Sequence, residues 1–316
     1  MRAPHPDLDD VRARARAAFL GLAVGDALGA TVEFLTPKEI RAERGVHQDV
    51  VGGGWLHLRA GAVTDDTEMS LCIARAIAEE GGFSRRSIAD RFAAWLRGRP
   101  ADVGNTCRKG IRRYILDGLL EMPPNPGDAG NGAAMRMVPI SLFTLADGAL
   151  LSRCAVEQAH LTHHHPLSDA ACRFVGSLVQ LGCLGGSLEC MRRRAAALVA
   201  EYPVFRFEPY PGLATGYVVD TLQTVLHCLF GTRSFEECLV AVVNRGFDAD
   251  TTGAIAGAIA GAHYGANGFP RRWLKKLDRA LVQEIRVLSD RLVDLSPLFR
   301  GEPPSLTETP PGSPRL

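Results

Sequence analysis

The sequence predicts an all-α fold, and three observations predict it. Apolar residues recur at spacings of three and four through most of the 316 residues. Clusters of β-branched residues are short, and glycine- or proline-bearing loops fall at helix-length intervals. On these signals the segments 11–30, 67–80, 84–97, 105–120, 132–145, 151–161, 166–184, 187–201, 213–230, 234–244, 251–264 and 271–295 read as helices. The loops between them include Gly52-Gly53-Gly54, Gly81-Gly82, Pro123-Pro124-Asn125-Pro126-Gly127 and Asn267-Gly268-Phe269-Pro270. The stretch 202–212 reads as extended or irregular. No linker pattern precedes Ser296, so residues 1–296 are expected to form one domain. The tail 297–316, with six prolines and little apolar content, is expected to be disordered.

A hydrophobic content of 46% suffices for a large core, and a net charge of +1 gives no general attraction to nucleic acid or membrane. The eight cysteines show no CxxC pair and fall among apolar helical residues, as reduced buried thiols do, which fits a cytoplasmic protein. An Arg-rich start followed by Ala17 to Val24 faintly mimics a signal peptide, but Asp7, Asp9, Asp10 and Asp26 break that pattern. No apolar run approaches the roughly 20 residues of a membrane span.

Two stretches at opposite ends carry the chemistry. Thr64-Asp65-Asp66-Thr67-Glu68 runs into the helical stripe Met69, Cys72, Ile73, Ala76, Ile77; Asp248-Ala249-Asp250-Thr251-Thr252 runs into the apolar segment from Gly253. Asp65 and Glu68 stand in capping-box relation, so two ordinary helix starts are one reading. The sharper one is a shared site, because carboxylates gathered in an apolar setting resist ionisation unless a cation neutralises them. An oxygen-only ligand set suits two Mn2+ or Mg2+ ions rather than zinc. Gly21, Gly25 and Gly29 on the first helix, and Gly253, Gly257 and Gly261 on the later one, repeat every fourth residue. Six helical glycines are costly at about 1 kcal/mol each relative to alanine, and close helix–helix approach is the reason that fits.

Other features are weaker alone. Asp102, at a loop–helix junction, either caps the next helix or moves protons over a ligand. The loop Gly127 to Arg136 either makes an ordinary turn or cradles phosphate with its N–H groups. His163, His164 and His165 are adjacent and point apart, so they do not form a metal triad. Arg108, Lys109, Arg112 and Arg113 make a basic face, either solvated or suited to an acidic partner.

Together these motifs resemble the ADP-ribosylglycohydrolase family. The resemblance runs over roughly residues 15–290 and rests on Gly21 to Phe34, Gly52-Gly53-Gly54-Trp55-Leu56, the two acid clusters, Asp102 to Ile111, Gly127 to Met137 and Thr162 to Ala171. It implies a compact orthogonal bundle of helices with a binuclear site holding Mn2+ or Mg2+. Thr64, Asp65, Asp66, Asp248, Asp250 and Thr251 would be the ligands, Asp102 and Glu33 the catalytic or gating carboxylates. Asn105, Thr106, Cys107, Gly130, Asn131, Gly132, Ala133, His163 and Tyr217 would surround ADP-ribose. The activity implied is release of ADP-ribose from a protein arginine, with ADP-ribosylated nitrogenase iron protein (dinitrogenase reductase) as substrate. Control by PII signalling proteins and a membrane ammonium channel is implied as well. A serine or O-acetyl-ADP-ribose linkage, or a non-catalytic structural role like that of some lens crystallins, are the alternatives.

Overall fold

Start and stop signals written in the chain place its helices in the computed structural model, which describes residues 7–301. The elements are α1 (Leu8–Gly29), α2 (Pro37–Arg44), α3 (Asp65–Glu80), α4 (Arg85–Arg97), α5 (Asn105–Asp117), α6 (Val138–Phe143), α7 (Gly148–Ala159) and α8 (Pro166–Cys183). They continue with α9 (Leu188–Glu201), α10 (Val218–Gly231), α11 (Phe235–Val243), α12 (Ala249–Tyr264), α13 (Arg271–Leu274), α14 (Arg279–Leu295) and α15 (Pro297–Arg300). Side chains of Ser84, Asp147, Ser187 and Ser234 accept backbone N–H bonds at helix starts. Sheet-like pairing among the described residues is confined to two isolated bridges, Gly53 with Leu58 and Gly130 with Tyr217. The fold is all-α, a multi-helix bundle.

Helices α1 and α12 form its centre, both buried over most of their length. They run antiparallel, with Gly21 against Gly257, Gly25 against Gly253 and Gly29 against Ala249. A Cβ on Gly21 would fall 2.1 Å from the Gly257 carbonyl oxygen, and one on Gly261 would fall 2.4 Å from that of Ala17. The glycine stripes therefore face each other, and backbone meets backbone. This contact brings the C-terminal end of α1 beside the N-terminal end of α12, where the acid clusters lie.

Several boundaries differ from the sequence reading, each for a local reason. Helix α2 was not anticipated because Ile40 is its one buried residue, so periodicity is silent; its Thr36–Glu39 capping box and Pro37 are the signs that mark it. The Asp65–Glu68 capping box does not form: Thr64 is the N-cap, without a side-chain cap bond, and Glu68 instead accepts a 2.7 Å bond from Trp95 Nε1. The helix expected over 132–145 shrinks to Val138–Phe143, because the chain before it is tied to residues 216–218. The same ties delay α10 to Val218. The segment 271–295 is broken at 275–278, where Gly61 packs so closely that a Cβ there would sit 1.9 Å from Lys276 O. Pro297–Arg300 of the expected disordered tail forms a helical turn; 302–316 lies outside the described residues. Seven of the eight cysteines are buried and all are free. Among the described residues no helix is long and apolar enough to cross a membrane.

Candidate active site

The site is built on a residue that sequence reasoning passed over. Asp26, fully buried near the end of α1, accepts bonds from Thr64 N at 3.0 Å, Thr64 Oγ1 at 3.0 Å, Thr67 N at 3.2 Å and Thr67 Oγ1 at 2.5 Å. Burial raises its pKa to about 6, against the opposing pull of these donors. Asp26 thus pins the first turn of α3 to α1. Its signal was a lone carboxylate in the apolar stretch 17–30, which composition and periodicity do not resolve.

Around this pin the two clusters meet. Thr64 Oγ1 also lies 3.0 Å from Asp66 Oδ2, its single hydrogen shared between Asp26 and Asp66, and Thr251 Oγ1 from α12 reaches the same Asp66 oxygen at 3.4 Å. Asp66 Oδ1 is buried with no hydrogen-bond partner. Burial, then the negative charges of Asp26, Asp65 and Asp248, hold Asp66 well above the usual carboxylate range. Asp250 is raised well above it by burial and by Glu33, Asp66 and Asp248. Asp65 rises to about 7 through burial and the neighbouring Asp102, while its Oδ2 accepts Gly104 N at 3.0 Å. Asp248 is raised by burial, eased by a bond from Asn131 Nδ2. All six expected ligands are therefore within one electrostatic neighbourhood.

Glu33 joins that neighbourhood more closely than a gating role alone requires. Carboxylate oxygens of Glu33, Asp248 and Asp250 lie within 4.8 Å of one another, a group able to hold a metal ion. Burial raises Glu33 to about 8, with Asp102 and Asp248 adding to the effect and a 2.6 Å bond from Trp55 Nε1 opposing it. An orphaned buried oxygen and a set of crowded carboxylates are what a hard divalent cation would satisfy. The donor set fits such an ion.

Asp102 does not cap α5. The N-cap is Gly104, which has no side chain to contribute, and Asp102 Oδ1 instead accepts Val103 N at 2.7 Å. Its carboxylate is half-buried, raised by burial, and faces Glu33, Asp65 and Asp248 closely enough to disfavour their charge. Asn105 and Thr106 open α5 beside it, exposed and half-buried respectively. Cys107 is different: it is buried beneath the glycine loop, its Sγ 3.5 Å from Arg136 Nη1.

The glycine loop packs on α5, where a Cβ on Gly132 would fall 2.9 Å from Cys107 Sγ. Asn131 N donates to Gly216 O at 3.0 Å and Val218 N to Ala129 O at 3.0 Å, which sets Tyr217, 40% exposed, beside Gly130. Ala133 is fully buried and supports the loop from inside. Of the three histidines, His163 is the one at this loop, its ring against Gly130 and Gly132. Arg136 Nη2 donates to Thr162 Oγ1 at 2.8 Å, and the same hydroxyl shares a 2.8 Å hydrogen bond with His163 Nδ1. Burial, with help from Arg136, lowers His163 to about 3, so the ring is neutral. His165 caps α8, and His164 stacks on His160 with ring centroids 3.6 Å apart. His160, His164 and Glu121 form a second ligand-capable group, but stacked rings aim their lone pairs side by side rather than at one ion. Burial alone would lower His160; Asp169 and Glu121 outweigh it and raise it.

A buried site of carboxylates and threonines where two helix starts meet, faced by a glycine loop and a neutral histidine, matches one family in particular. The ADP-ribosylglycohydrolase profile matches residues 7–300, and the chain belongs to that family. The chain is 52% identical over 288 residues to the ADP-ribosyl-[dinitrogen reductase] glycohydrolase of Rhodospirillum rubrum, covering 91% of this chain and 98% of that protein. It is 32% identical to the ADP-ribosylarginine hydrolase Tri1 of Pseudomonas putida, over 90% of this chain and 79% of the relative. Among solved structures, an ADP-ribosylglycohydrolase-related protein complex superposes with a TM-score of 0.80 at 33% identity, covering 91% of this chain and 99% of that one.

Proposed function

We propose that this enzyme is a metal-dependent hydrolase that removes ADP-ribose from an arginine side chain of ADP-ribosylated dinitrogenase reductase. The observation that carries the reading is the crowding of Asp65, Asp66, Asp248 and Asp250 into one buried neighbourhood, with Asp66 Oδ1 left without a hydrogen-bond partner. The likeness over nearly the full length of the Rhodospirillum rubrum relative supports the substrate. A PII-type protein and an ammonium channel belong to the proposal as regulatory partners.

Thr64, Asp65, Asp66, Asp248, Asp250 and Thr251 would hold two Mn2+ or Mg2+ ions, with Glu33 at their edge. Bound, such ions neutralise the carboxylates and acidify water, the chemistry that hydrolysis near neutral pH requires. The chain's own groups do the rest. Asn131, the Gly130–Ala133 loop, His163 and Tyr217 hold ADP-ribose, with His163 Nε2 turned towards Gly130 and Gly132. The bond between ribose C1 and the guanidine nitrogen breaks with its electron pair on nitrogen, and water delivers hydroxyl to C1. Asp102, outside the ligand set and beside it, takes the proton from that water and returns it to the departing guanidine.

The test follows release of free ADP-ribose from an arginine-linked protein substrate, with a serine-linked substrate in parallel, before and after chelation. Metal-dependent release from arginine is expected. A preference for serine would defeat the arginine assignment.

A further inference from the structure

Beside Glu33 the site opens onto two aromatic rings that none of the roles above uses. Phe34 is 63% exposed and Trp55 48% exposed, although most large apolar side chains of this chain are buried. Their ring centroids lie 5.3 Å apart, tilted by 51°. Solvent exposure of two adjacent large aromatics is costly and calls for an occupant.

The backbone holds them there against its own preference. Phe34 has φ 63° and Phe247, immediately before Asp248, has φ 55°; bulky residues rarely adopt this left-handed region. The two are laced together, Phe34 N donating to Phe247 O at 2.6 Å and Phe247 N to Leu35 O at 2.7 Å. On the other side, the turn bridged by Gly53 and Leu58 presents Trp55, and Gly54 sits so close to α1 that a Cβ would fall 2.4 Å from Ala30 O. Trp55 Nε1 then donates to Glu33 Oε2 at 2.6 Å, which fixes the indole at the edge of the carboxylate cluster.

We infer that Phe34 and Trp55 form the seat for the substrate's guanidinium, an inference that rests on the arginine reading above. A planar cation is the ligand chemistry that aromatic faces beside a carboxylate recognise, by cation–π attraction and by ion pairing together. A neutral leaving group such as a serine hydroxyl gains nothing from either. Trp55 has a second task through its N–H, as a positioning residue for Glu33.

The experiment compares metal-loaded wild-type protein with Phe34→Asn, Trp55→Leu and Trp55→Phe, asparagine being chosen because it tolerates the left-handed backbone. Five quantities are read: kcat and KM on an ADP-ribosyl-arginine peptide, kcat and KM on an ADP-ribosyl-serine peptide, and affinity for free ADP-ribose. Phe34→Asn and Trp55→Leu should each lower kcat/KM on the arginine substrate about fivefold to thirtyfold, the span of one partly desolvated cation–π contact. Affinity for ADP-ribose should stay within about twofold. Trp55→Phe, which keeps an aromatic face and loses the bond to Glu33, should retain the KM and lower kcat. Wild-type activity on arginine with no loss in the variants, or equal losses on serine and in ADP-ribose affinity, overturns the seat and leaves the enzyme assignment standing. Absence of wild-type turnover on arginine overturns the assignment and the seat with it.

Discussion

Gly25 and Gly253 meet backbone to backbone: a Cβ on Gly25 would fall 2.0 Å from the Gly253 carbonyl oxygen, and one on Gly253 would fall 2.6 Å from that of Gly25. The obstacle is main chain on both sides, which no rotamer change relieves. Gly25→Leu and Gly257→Leu should therefore each destabilise by at least about 1–3 kcal/mol, the usual cost of overpacking. Denaturant midpoints check this; an unchanged midpoint in both would mean that the helices do not touch there. Since the contact aligns the end of α1 with the start of α12, metal binding should weaken along with stability.

Asp26 holds the first turn of α3 through two hydroxyls and two backbone N–H groups. Asp26→Asn replaces one acceptor oxygen by a donor that faces the same donors. Leaving buried partners unsatisfied costs about 1–3 kcal/mol, and Thr64 and Asp66 should shift with the turn. Lowered melting temperature together with lost activity is expected. Wild-type behaviour in both would reduce Asp26 to a bystander.

The all-α class and the glycine stripes were legible because each repeats a pattern over many residues, and the acid clusters because each packs carboxylates and hydroxyls into five consecutive residues. Asp26 was not, because its role depends on a contact 38 residues along the chain with Thr64. Trp55 and Phe34 were matched within motifs, but their exposure is a tertiary fact. The Asp65–Glu68 spacing suggested a capping box, yet tertiary demand on Asp65 from Gly104 and on Glu68 from Trp95 prevailed over local capping. Asp102 could be read as a cap for the same reason: spacing does not show where a carboxylate points.

The crowded carboxylates set the pH response of protein stripped of metal. Burial first, and neighbouring charge next, raise Glu33 to about 8 and Asp65 to about 7; burial raises Asp26 to about 6. A raised folded-state pKa contributes stability that is fully present below the unfolded value, about 4. That contribution is lost as pH rises through the folded value. The stripped protein should therefore melt at progressively lower temperature from about pH 4 up to about pH 8, with the Asp26 share lost first and the Glu33 share last. Added Mn2+ should restore most of the loss at the upper end. A melting temperature that is flat or rising across that window without metal would contradict the charge crowding.

Asp102→Asn separates chemistry from architecture. The carboxylate caps nothing, so the amide should leave stability, metal content and ADP-ribose affinity near wild type. General acid–base groups are worth about 10²–10⁴-fold in rate, and turnover on the arginine linkage should fall by roughly a hundredfold or more. Turnover near wild type would remove Asp102 from the reaction.

Asp66 on α3 and Asp248 before α12 come from opposite ends of the chain, and calorimetric titration with Mn2+ asks whether they serve one site. Wild-type protein should take up about two ions per chain, since the six oxygen-bearing residues divide between two hard cations. Asp66→Asn and Asp248→Asn should each weaken uptake of both ions and abolish ADP-ribose release, with the helical content unchanged. Undiminished Mn2+ binding in either variant, or full wild-type turnover after chelation to zero metal, would contradict a shared metal centre.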